Sequence, residues 1–332
     1  MENKIDAVMI WVDGSDLEWQ REKIKYSDNQ EAVRSGINRY RDWGLLRYWF
    51  RGIEKFAPWV NNVYFITCGH YPKWLNLNHP KLKFLSHREY IPSEYLPTFS
   101  SHPIELNLHR IKDLSDKFIY FNDDTFVINL LKKEDFFIGN KPRLTAGCDA
   151  NYTENYDDTF AHIILNDMGI INKYFDKQKV IRKNIFKWIN MNYDIKTITK
   201  TLSLMPFNRF SSMAIPHIPI PILKSTIEEL WKKEGKILDK VSKNKFRSKD
   251  DVNQHLFSFY DIARNNFEPA NKKLGKYYDI RDNLGNITET IKRQKYKMIC
   301  FSDDNSIDFK KCRDEIEKAF IEILPDKSEF EI

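Results

Sequence analysis

Four short apolar runs in the first 125 residues constrain the fold of this chain more than any other feature. Ile5–Val12, Asn62–Thr67, Leu82–Ser86 and Phe118–Phe121 are rich in β-branched and aromatic residues. Runs of this length and composition read as buried strands. Helical patterns are predicted over Leu17–Lys25, Tyr40–Phe56 and Ile104–Leu114. Strands that alternate with helices need crossover connections, so a mostly parallel sheet is expected. Ligands in such sheets gather at the carboxyl ends of the strands. Asp13, Gly69 and Asp123 each stand at a predicted strand end, which points them to one crevice.

The remaining chain divides by texture. Residues 1–150 are expected to form the first part of the α/β core. Residues 151–212 mix charged and apolar positions at helical spacing, as in Val180–Ile189, and read as a helical insertion or lobe. An amphipathic packing helix explains Val180–Ile189 better than a membrane anchor does, although its basic residues leave surface binding open. Residues 213–332 are expected to complete the core. Ile215–Pro221 holds three prolines, each of which restricts itself and its predecessor. Helices are predicted over Lys224–Lys233, from Val252 to Asn265, and from residue 306 onward, with a late strand over Tyr296–Phe301.

Bulk properties exclude several classes. The formal charge is +6 with a pI near 8.8. That suits an anionic small substrate or weak contact with an anionic membrane face. It is too mild for nucleic acid, and no basic block with interleaved aromatics is present. The four cysteines form no C-x-x-C pair, so neither a zinc signature nor a disulfide framework is indicated. Free thiols fit a reducing compartment. The chain opens Met1-Glu-Asn-Lys with no secretion signal, and it contains no apolar run of about 18 residues. A cytoplasmic protein is expected, with peripheral contact at the inner face of the membrane left open.

Asn122, Asp123 and Asp124 close the strand at 118–121. Adjacent carboxylates repel unless a cation lies between them, and hard oxygen donors suit Mg²⁺ or Mn²⁺ on a diphosphate. The plainer explanation is a solvated turn. Trp11-Val-Asp-Gly-Ser-Asp16 ends the first strand. There Asp13 and Asp16 would bind nucleoside hydroxyls, Gly14 would admit a ligand close to the backbone, and Trp11 would stack on a base. A capping turn accounts for the same residues equally well. Arg39, Asp42 and Arg47 suit phosphate contact, and a solvated helix face explains them as well. Before the carboxylate strand stand His102, Glu105, His109 and Arg110, with Glu105 and His109 four apart and so on one helical face. Such residues serve proton transfer and phosphate clamping. His217 lies in the stiff proline segment, and Arg247 and Asp251 open a later helix.

These blocks, in this order, resemble the Stealth family of sugar-phosphate transferases. The resemblance rests on Ile5–Asp16, Arg39–Val60, Tyr64–Leu75 and Leu96–Phe126, then on shorter blocks at His217–Pro219, Phe246–Asp251 and Met298–Asn305. The family includes bacterial capsule polymerases and the animal lysosomal-enzyme N-acetylglucosamine-1-phosphotransferase. It implies an α/β fold, with a mostly parallel Rossmann-like or GT-A-like sheet, flanking helices and a helical insertion. It also implies transfer of a sugar-1-phosphate from a nucleotide-sugar donor, typically a UDP-sugar, to a hydroxyl of an oligosaccharide or polysaccharide acceptor. On this reading Asp123 and Asp124 hold Mg²⁺ or Mn²⁺. Asp13, Gly14 and Asp16 line the nucleotide pocket, and Arg110 and Arg247 clamp phosphate. His217 or His102 is the base with Glu105 as its orienter, and Asp251 either orients Arg247 or joins the metal. A metal-dependent glycosyltransferase and a non-catalytic carbohydrate-binding partner are the alternatives.

Overall fold

A computed structural model describes residues 4–27, 40–153 and 155–332. Arg39, one of the expected phosphate contacts, lies outside these described residues. The central sheet is built on β1 (Ile5–Ile10), β2 (Val63–Thr67), β3 (Leu82–Ser86) and β4 (Lys117–Phe121). Its order is β3-β2-β1-β4, all parallel, with Ile220–Leu223 added antiparallel on the free side of β4. The register sets Ala7 beside both Val63 and Ile119.

Side chains of a strand alternate between faces, and the two hydrophobic clusters follow that period. Ile5, Ala7, Met9, Ile119 and Phe121 enter one cluster, which also takes residues from the helices Leu46–Phe56, Leu284–Lys292 and Phe309–Ile323. Val8, Phe118 and Tyr120 enter the other, with residues from Thr159–Tyr174, Lys224–Ser242 and His255–Ala263. The sheet is therefore covered on both sides, as a parallel sheet requires. Asp6 is a buried carboxylate in β1, and it accepts bonds from the amides of Asn62 and Ser115 and the side chain of Asn61.

β2 and β4 lie on opposite sides of β1, so the chain reverses its winding between β1 and β4. Crevices at such a switch point are where α/β sheets bind ligands. Directly after β4, the strand β5 (Thr125–Val127) leaves the central sheet. It pairs antiparallel with Met298–Phe301, which in turn pairs with Gly275–Tyr278.

The short strands Cys148–Asp149 and Ser212–Met213 pair antiparallel. Between them run the helices Thr159–Tyr174, Lys177–Lys183, Ile185–Trp188 and Ile195–Leu204. Asp158, Asp176 and Asp194 cap three of these by accepting amide bonds from the first turn.

Several boundaries differ from expectation. The helix predicted from Tyr40 starts at Leu46, because Gly44 takes φ +69° and its amide donates to Asp42 in a turn. The helix predicted over Ile104–Leu114 runs instead from Ser101 to Leu106. Asn107 leaves helical geometry there and spends its side-chain amide on the Pro103 carbonyl and the Ser242 hydroxyl. His109 consequently does not share a helical face with Glu105, and its ring packs against Trp231.

Candidate active site

A cavity of about 1070 Å³ opens at the carboxyl ends of β1 and β4. Asp123 and Asp124 form part of its floor. Asp123 is open to the cavity but walled in by protein, and that enclosure pushes its pKa up to about 7, with the charges of Asp124 and Asp42 adding to the shift. Burial raises Asp124 to about 6. Asp124 Oδ1 is buried with no hydrogen-bond partner. Its carboxylate is also bonded by the thiol of Cys300, which the pairing of β5 with Met298–Phe301 brings opposite Thr125. Burial and the Asp124 charge push that thiol's pKa well up, so it stays protonated and donates rather than acting as a thiolate ligand.

An orphaned carboxylate oxygen beside a second enclosed carboxylate is the donor set of a hard divalent cation. Asp123 and Asp124 therefore fit Mg²⁺ or Mn²⁺ and do not fit a soft metal. Asp42 lies near enough to act on Asp123, and its own pKa is raised by burial first and by Asp13 second. Among the described residues, three His or carboxylate ligand atoms converge closely at Glu54, His79 and Glu329 instead. There His79 Nδ1 accepts the Lys81 amide, which leaves Nε2 protonated toward Glu329 rather than free to bind a metal.

On another wall stands His102, whose amide donates to Ser100, the N-cap of Ser101–Leu106. His102 Nδ1 lies 2.8 Å from Asp251 Oδ2, and both side chains are buried. Asp251 also accepts the Ser248 amide at 3.0 Å and the Asn244 side chain at 2.6 Å. Three bonds fix this carboxylate, so Nδ1 of His102 carries the proton and Nε2 is left as the basic nitrogen. Glu105 is not the orienter: its carboxylate is taken by the Tyr120 hydroxyl at 2.9 Å and the Gln254 amide at 3.3 Å. Asp251 is thus bonded to His102, Ser248 and Asn244 rather than to Arg247.

His217 lines the same cavity at φ +47°, a conformation uncommon for a residue with a Cβ, and its ring packs on Tyr277. His217 is open to the cavity, and the protein around its ring lowers its pKa. His255, which no sequence signal singled out, is held neutral at about 3 by burial and then by His217 and His102. Arg247 also lines the cavity, donates to Ser101 Oγ at 3.2 Å and draws the pKa of Asp123 down against its other neighbours.

Other expected site residues are placed elsewhere. Arg110 does not line the cavity; it donates to Asn107 and lies over Trp231. Arg47 reaches toward Glu331 and Trp74. Asp16 caps the helix Leu17–Tyr26 and bonds His70 Nδ1 at 3.0 Å. Trp11 is buried, stacked on Phe65 and edge-on to His70, so its ring is not free to stack on a base, though its edge still borders the cavity. A Cβ on Gly14 would stand 1.9 Å from the Tyr40 carbonyl, so this glycine admits another loop and not a ligand. Asp13 remains at the end of β1, within range of Asp42, with Ser15 bonded to its Oδ1.

Residues 155–160 form one side of the cavity rim. Tyr156 there is 86% exposed, and the ammonium of Lys249 sits 3.9 Å from its ring centroid. Neither residue carried a signal in the sequence, because the contact joins two separate loops.

Comparison with known proteins gives concordant matches. Residues 3–31 match "Stealth protein CR1, conserved region 1" and residues 39–144 match "Stealth protein CR2, conserved region 2". The capsular polysaccharide phosphotransferase WcwK of Streptococcus pneumoniae is 43% identical, with all of both chains covered. The receptor polysaccharide phosphotransferase WefC of Streptococcus gordonii is 38% identical over the same full coverage. The exopolysaccharide phosphotransferase cps2G of Lactiplantibacillus plantarum is 34% identical, covering 98% of this chain and 96% of that one.

Proposed function

This chain belongs to the Stealth family of phosphotransferases, and we propose that it transfers a sugar-1-phosphate from a UDP-sugar to a sugar hydroxyl during synthesis of a cell-surface polysaccharide. One observation carries the reading. A histidine held by a buried carboxylate, His102 with Asp251, faces the same cavity as a pair of enclosed carboxylates at the switch point of the sheet.

The uridine end of the donor lies at the ends of β1 and β2, where Val12, Tyr40 and Cys68 line the cavity. The diphosphate lies over Asp123 and Asp124, with Arg247 supplying positive charge. A divalent cation held by the two aspartates would neutralise the diphosphate. The acceptor enters past the rim at Tyr156, whose exposed ring offers a face to a sugar.

The acceptor oxygen attacks the phosphorus that bears the sugar. His102 Nε2 takes the hydroxyl proton, and Asp251 stabilises the imidazolium that results. The bond between that phosphorus and the UMP oxygen breaks, UMP leaves, and a phosphodiester remains. The anomeric C–O bond stays intact. Phosphoryl transfer asks the protein mainly for positioning and charge neutralisation, and the rigid placement of His102, Arg247 and the two aspartates supplies both. His255, kept neutral by burial, adds no charge against the cation.

The test is the nucleotide released when the protein is incubated with UDP-N-acetylglucosamine, Mg²⁺ and a pool of oligosaccharide acceptors. UMP together with a new phosphodiester phosphorus resonance supports the proposal. UDP without that resonance would assign the chain to glycosyl transfer.

A further inference from the structure

One segment of the helical lobe is strongly basic. Residues 177–209 hold eight Lys or Arg and a single Asp, a net charge of +7, whereas the whole chain carries +6. The rest of the chain sums to −1, although it includes a second basic stretch at residues 232–249. The same segment exposes Phe186 (83%), Met191 (91%), Ile195 (74%) and Phe207 (63%).

Both properties belong to side chains that the lobe leaves exposed. In Lys177–Lys183 the buried positions are Lys177, Val180 and Ile181, which leaves Lys179, Arg182 and Lys183 facing out. In Ile195–Leu204 the buried position is Thr201, and Ile195, Lys196 and Leu202 are exposed. The two helices are tied together by Lys177 Nζ on the Leu204 carbonyl and by the Gln178 amide on the Met205 and Phe207 carbonyls. Two cations of the segment are neutralised, Lys187 by Glu268 and Lys200 by Asp149. Lys179, Arg182, Lys183 and Lys196 make no ion pair among the described residues.

We propose that the lobe docks through these side chains on the surface of an anionic lipid bilayer. Unpaired cations interleaved with large exposed apolar side chains are what an interfacial helix needs: the cations meet lipid phosphates while the apolar chains enter the headgroup boundary. A soluble polyanion would satisfy the lysines but would leave Phe186, Met191, Ile195 and Phe207 in water. The lobe begins at Thr159–Tyr174, directly after the rim at Tyr156, so docking would hold the acceptor side of the cavity near the lipid.

Sedimentation of the full chain with vesicles tests this. Binding is expected to vesicles of phosphatidylcholine with 30 mol% phosphatidylglycerol, and to weaken steeply with salt. Lys179→Glu/Arg182→Glu/Lys183→Glu and, separately, Phe186→Ser/Met191→Ser are each expected to lower partitioning at least tenfold. Thermal melting and turnover of a water-soluble acceptor should be unchanged in both. No sedimentation, equal binding to neutral vesicles, or binding indifferent to both variants would overturn the proposal. So would capture by heparin without capture by vesicles. Light scattering that showed a dimer lost in Phe186→Ser/Met191→Ser would assign the face to a second copy of the chain instead.

Discussion

His102 and Asp251 are 149 residues apart and become a pair only through the fold. Replacing His102 with Ala removes the proposed base and should slow turnover roughly 10²–10⁴-fold. Asp251→Asn should cost less, and it should move the acid limb of the pH–rate profile to lower pH, because the Asp251 charge stabilises the protonated imidazole and does not act on substrate. A His102→Ala enzyme that keeps more than a tenth of its turnover would remove His102 from the mechanism. Tyr156→Ala tests the acceptor side: the KM for acceptor should rise several-fold while the KM for donor stays put. At these positions the sequence showed the residue types without showing which of them would bond. His102, Arg247 and Asp251 stood out by chemistry, but the bond between His102 and Asp251 crosses from the helix Ser101–Leu106 to a distant loop. Glu105 is three residues from His102 in sequence, yet Tyr120 and Gln254 claim it.

The helix Leu46–Phe56 shows how an element can be legible while its surface is misread. Arg47 looked like a phosphate ligand, and both it and its neighbour Arg51 reach toward Glu331. Arg51 makes two bonds to Glu331, at 2.7 and 3.0 Å, and a third to the Leu324 carbonyl. The side chain of Glu331 is 1% exposed. Removing one partner of so enclosed a pair is costly, so Glu331→Ala should lower stability by roughly 3 kcal/mol in chemical denaturation. Turnover below the melting range should hardly change. Gly52 on the same helix approaches β5 closely: a Cβ there would meet the Val127 carbonyl at 2.5 Å. Gly52→Ala should therefore push the helix from the strand that follows Asp124, costing roughly 1–3 kcal/mol and weakening metal binding as well. Strand and helix positions were readable from periodicity because burial enforces it. The ends moved where single residues intervened, such as Gly44 at positive φ and Asn107 with its side chain committed to the backbone.

For the whole molecule, the sheet order does most of the placing. Parallel strands deliver their carboxyl ends to one edge, and the switch between β1 and β4 sets Val12 and Asp123 beside the same cavity, whereas Asp13, expected there, is not part of its lining. The β5 excursion that brings Cys300 to Asp124 was not legible, since a strand of three residues carries too little pattern. The enclosed carboxylates also set the pH response of the protein. Asp123 and Asp124 titrate near 7 and 6 in the native state, above the ordinary carboxylate value, so the native state holds protons that the unfolded chain has lost. Stability of the metal-free protein should therefore fall as pH rises from about 4 through about 7. Mg²⁺ or Mn²⁺ should restore the melting temperature at pH 8. Asp123→Asn/Asp124→Asn should flatten the pH dependence and abolish the metal response.

Bond cleavage distinguishes phosphoryl from glycosyl transfer without reference to any one residue. A UDP-sugar labelled with ¹⁸O in the oxygen that joins the anomeric carbon to phosphorus would be turned over with Mg²⁺ and acceptor, and the label followed by the isotope shift in phosphorus NMR. Label retained in the phosphodiester product, with unlabelled UMP released, is the result expected. Label recovered in UDP would contradict sugar-1-phosphate transfer.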